Sequence, residues 1–214
     1  MSDWRATAAW VATSFAPAAT NRIREDLKRA GIVFVDAPLA RTPKEAEEGR
    51  LNTMVGADDA VFARLQPVLS AYCENVFHVG PPGAGHVVKL LNNFLAMTIA
   101  AASAEAFAAC VKAGVPPEKL HTVISAGAVN SGIFQAMFKA FSGDFTGLKF
   151  AIDNARKDLR YYTHLTESLP TTSLIGEAVH QTFVAAVNQG LGDKFIASLL
   201  EAQEKLNNVQ ILKR

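Results

Sequence analysis

The sequence predicts an α/β layer followed by an all-α region built on one long helix, and three observations carry that reading. Over residues 1–80 short apolar runs alternate with amphipathic helical patterns. Beyond Gly83 the turn signals separate only helical patterns, and the change falls at Pro81-Pro82. The expected domains are therefore 1–80 and 81–214. With 214 residues, half of them apolar, the chain is long enough to bury a sizeable core.

Residues 9–15 read as a short strand. Pro17 suits the first position of a helix that places Ile23, Leu27 and Ala30 on one face and stops at Gly31. Residues 32–36 form a continuous apolar run ending in Asp36, the pattern of a strand buried on both faces. A helical turn follows at Pro43-Lys44-Glu45-Ala46. Residues 51–56 predict another strand, Asp58 caps a helix running to about Cys73, and residues 75–79 predict the last strand. Residues 84–113 then predict one helix roughly 45 Å long, apolar nearly all round and so expected as the buried spine of the helical region. Further helices are expected over 117–125, 132–141, 148–165, 172–189 and 194–207. No internal repeat or low-complexity segment interrupts them.

Composition excludes several classes of function. The 21 basic residues stand against 20 acidic ones, which leaves no electrostatic footprint for nucleic acid or an anionic membrane. Any anion site must be local. Cys73 and Cys110 lie far apart without metal spacing and read as buried, reduced thiols; the histidines at 78, 86, 121, 164 and 180 show no metal pattern either. No Gly-x-Ser-x-Gly nucleophile turn occurs. The N-terminus lacks a signal-peptide pattern, and the longest uncharged run, residues 90–104, is shorter than a membrane span and contains two Asn. A cytoplasmic protein without nucleic-acid, membrane or metal partners is expected.

The chemistry is concentrated in Pro81-Pro82-Gly83-Ala84-Gly85-His86-Val87-Val88-Lys89-Leu90-Leu91-Asn92-Asn93. Lys89, Asn92 and Asn93 stand at i, i+3 and i+4 and share one helix face among apolar neighbours. Such groups are not buried without partners, so they meet water or line a site; Lys89 reads either as a snorkelling lysine or as a functional one. Asp36-Ala37-Pro38-Leu39-Ala40-Arg41-Thr42 leaves the carboxyl end of a buried strand, where α/β sheets bind ligands. Arg41 there is either an anion ligand or a surface arginine opening the next helical turn. Gly83-Ala84-Gly85 is a weak dinucleotide signal, because Val88 stands where a third glycine belongs, and a helix N-terminus explains it better. Asp153 and Lys157, at i and i+4, read as a solvated ion pair.

Together these segments resemble the β-hydroxyacid dehydrogenase family, the 3-hydroxyisobutyrate dehydrogenase-like enzymes, across nearly the whole chain. Asp36-Ala37-Pro38 with Ala46, Gly49, Leu51, Met54, Val55 and Gly56 looks like the family's substrate-binding strand and loop. Gly83-x-Gly85-x-x-x-Lys89-Leu90-x-Asn92-Asn93 looks like its catalytic helix, and Lys157-Asp158-Leu159 like its cofactor-side motif. Ala40-Arg41-Thr42 is similar to the Arg-Thr of the sulfolactaldehyde reductase branch, where the arginine helps to hold an anionic head group.

The resemblance implies a partial Rossmann-type parallel sheet layer in 1–80, an all-helical domain in 81–214, and homodimers or homotetramers formed through the latter. It implies hydride transfer between NAD or NADP and a small anionic hydroxy acid or aldehyde. Lys89 is then the catalytic lysine, Asn93 orients the reacting oxygen, and Arg41, Thr42 and Asn92 meet the anionic substrate. Lys157, Asp158 and Ser14 fall on the cofactor side. Three cations, Arg41, Lys89 and Lys157, are expected to converge on a cleft between the two domains, which favours a carboxylate or sulfonate. Their mutual repulsion and desolvation would bring Lys89 towards the ~7–8 range suited to proton transfer.

Val11-Ala12-Thr13-Ser14-Phe15-Ala16-Pro17 resembles a segment well inside family members. The Gly-x-Gly-x-x-Gly turn that binds pyrophosphate at a helix N-terminus is therefore expected to be missing, along with the first half of the Rossmann domain, and NAD(P) should bind this chain weakly. The competing expectation is a catalytically silent helical association module. An imine-reductase-like enzyme fits less well, because that related group usually replaces the lysine that Lys89 retains.

Overall fold

The computed structural model describes residues 8–11 and 17–212, with side chains described from Arg22 onward; Ser14 lies outside these residues. Two compact units divide the chain within its long helix, one comprising 1–92 with 164–171 and the other 93–163 with 172–214.

The first unit contains β1 (Ala8–Val11), α1 (Pro17–Arg29), β2 (Val33–Asp36), β3 (Leu39–Ala40), α2 (Pro43–Glu47), β4 (Leu51–Gly56), α3 (Asp59–Leu69) and β5 (Cys73–Gly80). Pro17 opens α1 as expected, and Gly31 ends it at φ 71°, a left-handed turn that glycine adopts without a Cβ clash. The sheet is mixed rather than wholly parallel. β1 runs parallel to β2 and β4 parallel to β5, whereas β2 and β3 pair antiparallel with β4. The reason is that β3, two residues just past Pro38, continues the line of β2 before the chain reverses through α2 into β4, and so short an arm leaves no period-two signal in the sequence.

Val35, Ala37, Val55, Ala57 and Leu69 form the core of this unit, packed by Val33, Val61, Phe62 and Leu65. Asp58 occupies the N-cap of α3, but its side chain makes no capping bond. That helix stops at Leu69, short of the expected Cys73, which instead opens β5 with its side chain buried.

α4 (Ala84–Lys112) is the expected long helix. In the second unit its inner face, including Met97, Ala100, Ala104, Phe107 and Ala108, packs with Phe134, Met137, Ile152, Leu159, Phe183 and Leu200. It is a spine on one face only. Leu91, Leu95 and Ile99 are 42, 59 and 36 % exposed, and Ala102, Ala106 and Ala109 continue the exposed stripe. Among the described residues α4 is also long and apolar enough, by length and composition, to cross a membrane. The uncharged run alone is shorter than a span, but the helix extends beyond it at both ends, and its packed face is that of a core helix.

The remaining helices are α5 (Pro117–Ser125), α6 (Gly132–Phe138), α7 (Ile152–Ser168), α8 (Leu174–Asn188) and α9 (Leu199–Asn207). Ser131 caps α6, its hydroxyl accepting from Phe134 N at 3.1 Å. α6 tightens into a 3-10 turn at Lys139–Ser142 where the sequence predicts continued helix. α7 and α9 begin later than expected: the residues ahead of them pair with each other, and a 3-10 turn at Ile196–Ser198 precedes α9. Ala151 bridges Phe195, and Ile152 N donates to Lys194 O at 2.9 Å. Within α9 the buried Glu204 carboxylate accepts from Ile211 N and Leu212 N at 2.7 and 2.8 Å, which fastens the segment that follows the helix. Cys110 is only half-buried, its thiol donating to Val115 O; desolvation raises the pKa of both thiols.

Candidate active site

The N-terminus of a 29-residue helix presents unpaired amide donors and a partial positive charge. Here both are met from within the protein. Asp36, at the end of β2 and wholly buried, accepts from Gly83 N at 2.5 Å and His86 N at 2.8 Å. The Gly83-Ala84-Gly85 turn therefore already holds an internal carboxylate, which explains why a dinucleotide-like glycine pattern occurs without being a phosphate cradle. Gly56 and Gly85 are the space made for that carboxylate. A Cβ on Gly56 would collide with the Asp36 carboxyl group, and one on Gly85 would collide with Met54 O and come within 2.9 Å of Asp36 Oδ2. Within the strand that resembles the family's substrate-binding segment, the Asp36 carboxylate anchors the helix that bears Lys89. The signal available was a lone carboxylate closing an apolar strand, a charge that burial would oblige to find donors.

Lys89 follows His86 by three residues and is half-buried. Asn92 is exposed, whereas Asn93, four residues on from Lys89, is 7 % exposed. Asn93 Nδ2 donates to Asp158 Oδ2 at 2.6 Å, and Lys157 Nζ stands 3.3 Å from Asp158 Oδ1 and 5.7 Å from the centre of the Tyr161 ring. Asn93, Asp158 and Lys157, expected on the substrate and cofactor sides, thus form one connected group in the second unit. The Asp153–Lys157 pair suggested by spacing is replaced by Asp153 with Arg156, at 3.1 Å, and Lys157 with Asp158. The linkage of Asn93 to Asp158 crosses 65 residues, and helical periodicity carries no signal for it.

Arg41 sits at φ 85°, an uncommon conformation for a residue with a side chain. Its Nη1 donates to Arg50 O at 2.7 Å and to the Glu74 carboxylate. Arg50 Nε lies 3.6 Å from the same carboxylate. The bond from Arg41, with the charge of both arginines, holds Glu74 below the usual carboxylate range. Thr42 caps α2: its backbone N donates to Glu45 Oε2 at 3.0 Å and its hydroxyl bonds the same oxygen, a capping box that accounts for this residue structurally.

Among the described residues no group of His, Cys, Asp and Glu could hold a metal ion. For a dinucleotide the fit is partial. Lys157 and Asp158 offer a cation and a carboxylate, but the turn into α4 is occupied by Asp36 and the turn into α3 carries Asp58 and Asp59, whose charge repels phosphate.

Comparison with known proteins bears on both units. Residues 83–202 match the family model described as NAD-binding of NADP-dependent 3-hydroxyisobutyrate dehydrogenase, and residues 6–80 match that of the NAD binding domain of 6-phosphogluconate dehydrogenase. The chain is 35 % identical over 205 residues to 2-(hydroxymethyl)glutarate dehydrogenase of Eubacterium barkeri, covering 93 % of this chain and 66 % of that one. It is 32 % identical over 188 residues to L-threonate dehydrogenase of Escherichia coli O6:H1, covering 87 and 62 %. The crystal structure of 3-hydroxyisobutyrate dehydrogenase from Salmonella typhimurium superposes with a TM-score of 0.78 at 29 % identity, over 91 % of this chain and 68 % of that one. The Mycobacterium tuberculosis 3-hydroxyisobutyrate dehydrogenase shares the fold, with a TM-score of 0.84 at 22 % identity, over 92 and 69 %. The chain spans just under two thirds of the length of the two curated relatives named here.

Proposed function

The chain belongs to the β-hydroxyacid dehydrogenase family, and from that premise we propose that it carries the acid–base and substrate-holding parts of an NAD(P)-dependent oxidoreductase acting on a small anionic hydroxy acid or aldehyde. The observation that carries this reading is the register of α4. Asp36 fixes its first turn, Lys89 follows directly, and Asn93 on the same face is tied to Asp158. When bound, NAD(P) supplies the hydride acceptor or donor. Lys89 then holds or returns the proton at the substrate oxygen, Asn93 orients that oxygen, and Asp158 keeps the Asn93 amide in place. Arg41 holds the carboxylate or sulfonate. Relatives named for a hydroxymethyl dicarboxylic acid, a sugar acid and 3-sulfolactaldehyde support an anionic substrate class. Both cysteines are free thiols, which fits a reducing, cytoplasmic setting.

The substrate assignment is tested at Arg41. Arg41→Lys keeps the charge but loses the planar donor fork, so KM is expected to rise about tenfold, the effect of losing one charge-assisted hydrogen bond, with turnover little changed. Steady-state kinetics on carboxylate and sulfonate candidates decide it; an unchanged KM for every active substrate removes Arg41 from the site.

A silent association module is the competing reading, and the exposed apolar stripe of α4 favours its physical half: patches of this kind are seldom bare in soluble proteins. Self-association through that stripe is part of the proposal as well. Light scattering should report a dimer or tetramer, and Leu95→Glu should shift it towards monomer. Calorimetric titration of the same sample with NAD and NADP should find very weak binding, since the described turns offer no phosphate cradle. Micromolar binding by a monomeric chain would overturn both expectations.

A further inference from the structure

The two bonds made by Arg41 fall on the same nitrogen. Nη1 has two hydrogens, and its acceptors are Arg50 O and the Glu74 carboxylate. The donors that remain are Nε–H and the Nη2 pair, which lie along the opposite edge of the guanidinium and match the two oxygens of a carboxylate or sulfonate. Glu74 is itself braced by Arg50, whose Nε is 3.6 Å from it and whose Nη1 reaches Glu48 at 3.1 Å. Arg41 starts from a left-handed backbone conformation, so its side chain leaves the β3 end in a direction that an extended residue would not give.

We propose that Glu74 is a positioning residue for substrate binding: with the Arg50 carbonyl it pins Nη1 of Arg41 and so presents the Nε–Nη2 edge as the bidentate fork for the substrate's anionic group. The inference rests on the reading of Arg41 as the anion holder. A mobile arginine would lose side-chain freedom on binding; one already pinned has less to lose, and the difference appears as affinity. Glu74 stays ionised through the neutral range, because its contact with Arg41 lowers its pKa.

The test is a titration of the 214-residue chain with 3-hydroxypropanoate and with 2-hydroxyethanesulfonate, followed by the NMR signal of the Arg41 Nε–H group. In the wild type that signal should move with both probes. Glu74→Ala should weaken binding about tenfold, the loss of one charge-assisted bond, while Glu74→Gln, whose amide oxygen still accepts from Nη1, should stay within about threefold of wild type. Melting temperatures of the variants should match the wild type. If Glu74→Ala binds both probes as the wild type does while Arg41→Lys loses them, the role of Glu74 is refuted and the reading of Arg41 stands. An immobile Arg41 signal in the wild type, or wild-type binding by Arg41→Lys, removes Arg41 from the site and this inference with it. Equal losses in Glu74→Ala and Glu74→Gln, accompanied by lowered melting temperatures, would leave Glu74 a purely structural residue and overturn the proposal.

Discussion

Lys89→Ala is expected to lower turnover by ~10²–10⁴-fold, the usual contribution of a positioned proton donor or acceptor, while the protein still folds. Lys89 is half-buried on α4, and the two hydrophobic cores are built from other residues, so its truncation leaves them intact. The helix that carries it is held elsewhere, by Asp36 at its first turn and by the packing of Met97, Ala104 and Phe107 beyond. Lys89→Arg separates charge from proton exchange, because a guanidinium keeps its protons at any pH the protein tolerates. It should be as slow as the alanine variant while binding substrate better than it. Turnover at saturating NAD(P) and substrate, with melting curves on the same preparations, provides the check. Turnover in Lys89→Ala comparable to the wild type would rule out the acid–base role.

The order of strands and helices was legible in the sequence because it rests on periodicity and on punctuation by Pro17, Gly31 and Pro81-Pro82. What escaped was structure made by pairing between distant residues. β3 exists because β4 is there to receive it, and α7 starts late because Ala151 pairs with Phe195, a bridge that also displaces the start of α9 behind a 3-10 turn. The candidate site divides in the same way. Lys89, Asn92 and Asn93 stand together in the sequence and lie within about one turn of α4, Asn92 exposed and Asn93 buried. The partner that fixes Asn93, however, is Asp158 on α7, and the anchor of the helix is Asp36 on β2. Arg41 and Thr42 were adjacent candidates of the same kind, yet Thr42 closes a capping box with Glu45 whereas Arg41 reaches Glu74 across 33 residues. Local capping chemistry was readable from Thr42-x-x-Glu45; the ion pair was not.

Gly85→Ala sets local propensity against tertiary structure, and the two predict opposite signs. Gly85 is a helical residue of ordinary φ, so helix propensity alone predicts that alanine stabilises by about 1 kcal/mol. The space around it predicts the reverse. The new methyl group would overlap Met54 O and stand 2.9 Å from Asp36 Oδ2 and 3.0 Å from Asp36 O. None of these atoms can give way cheaply: Met54 lies in β4, bonded on both sides within the sheet, and the Asp36 carboxylate is held by two helix amides. Either α4 moves away from the sheet, which breaks those two charge-assisted bonds, or the overlap persists. Overpacking of this severity together with the lost bonds costs about 3 kcal/mol or more, which for a chain of this size lowers the melting temperature by roughly 6–12 °C. Gly132→Ala is the matched control, because a Cβ there meets nothing within 4 Å and the change should be neutral or slightly stabilising. Calorimetry of the two variants beside the wild type decides the matter. A Gly85→Ala variant as stable as Gly132→Ala would mean that the carboxylate of Asp36 does not hold α4 at this distance. Loss of stability in Gly85→Ala alone, with turnover falling even below the melting range, is the result expected if that anchor also sets the register of Lys89.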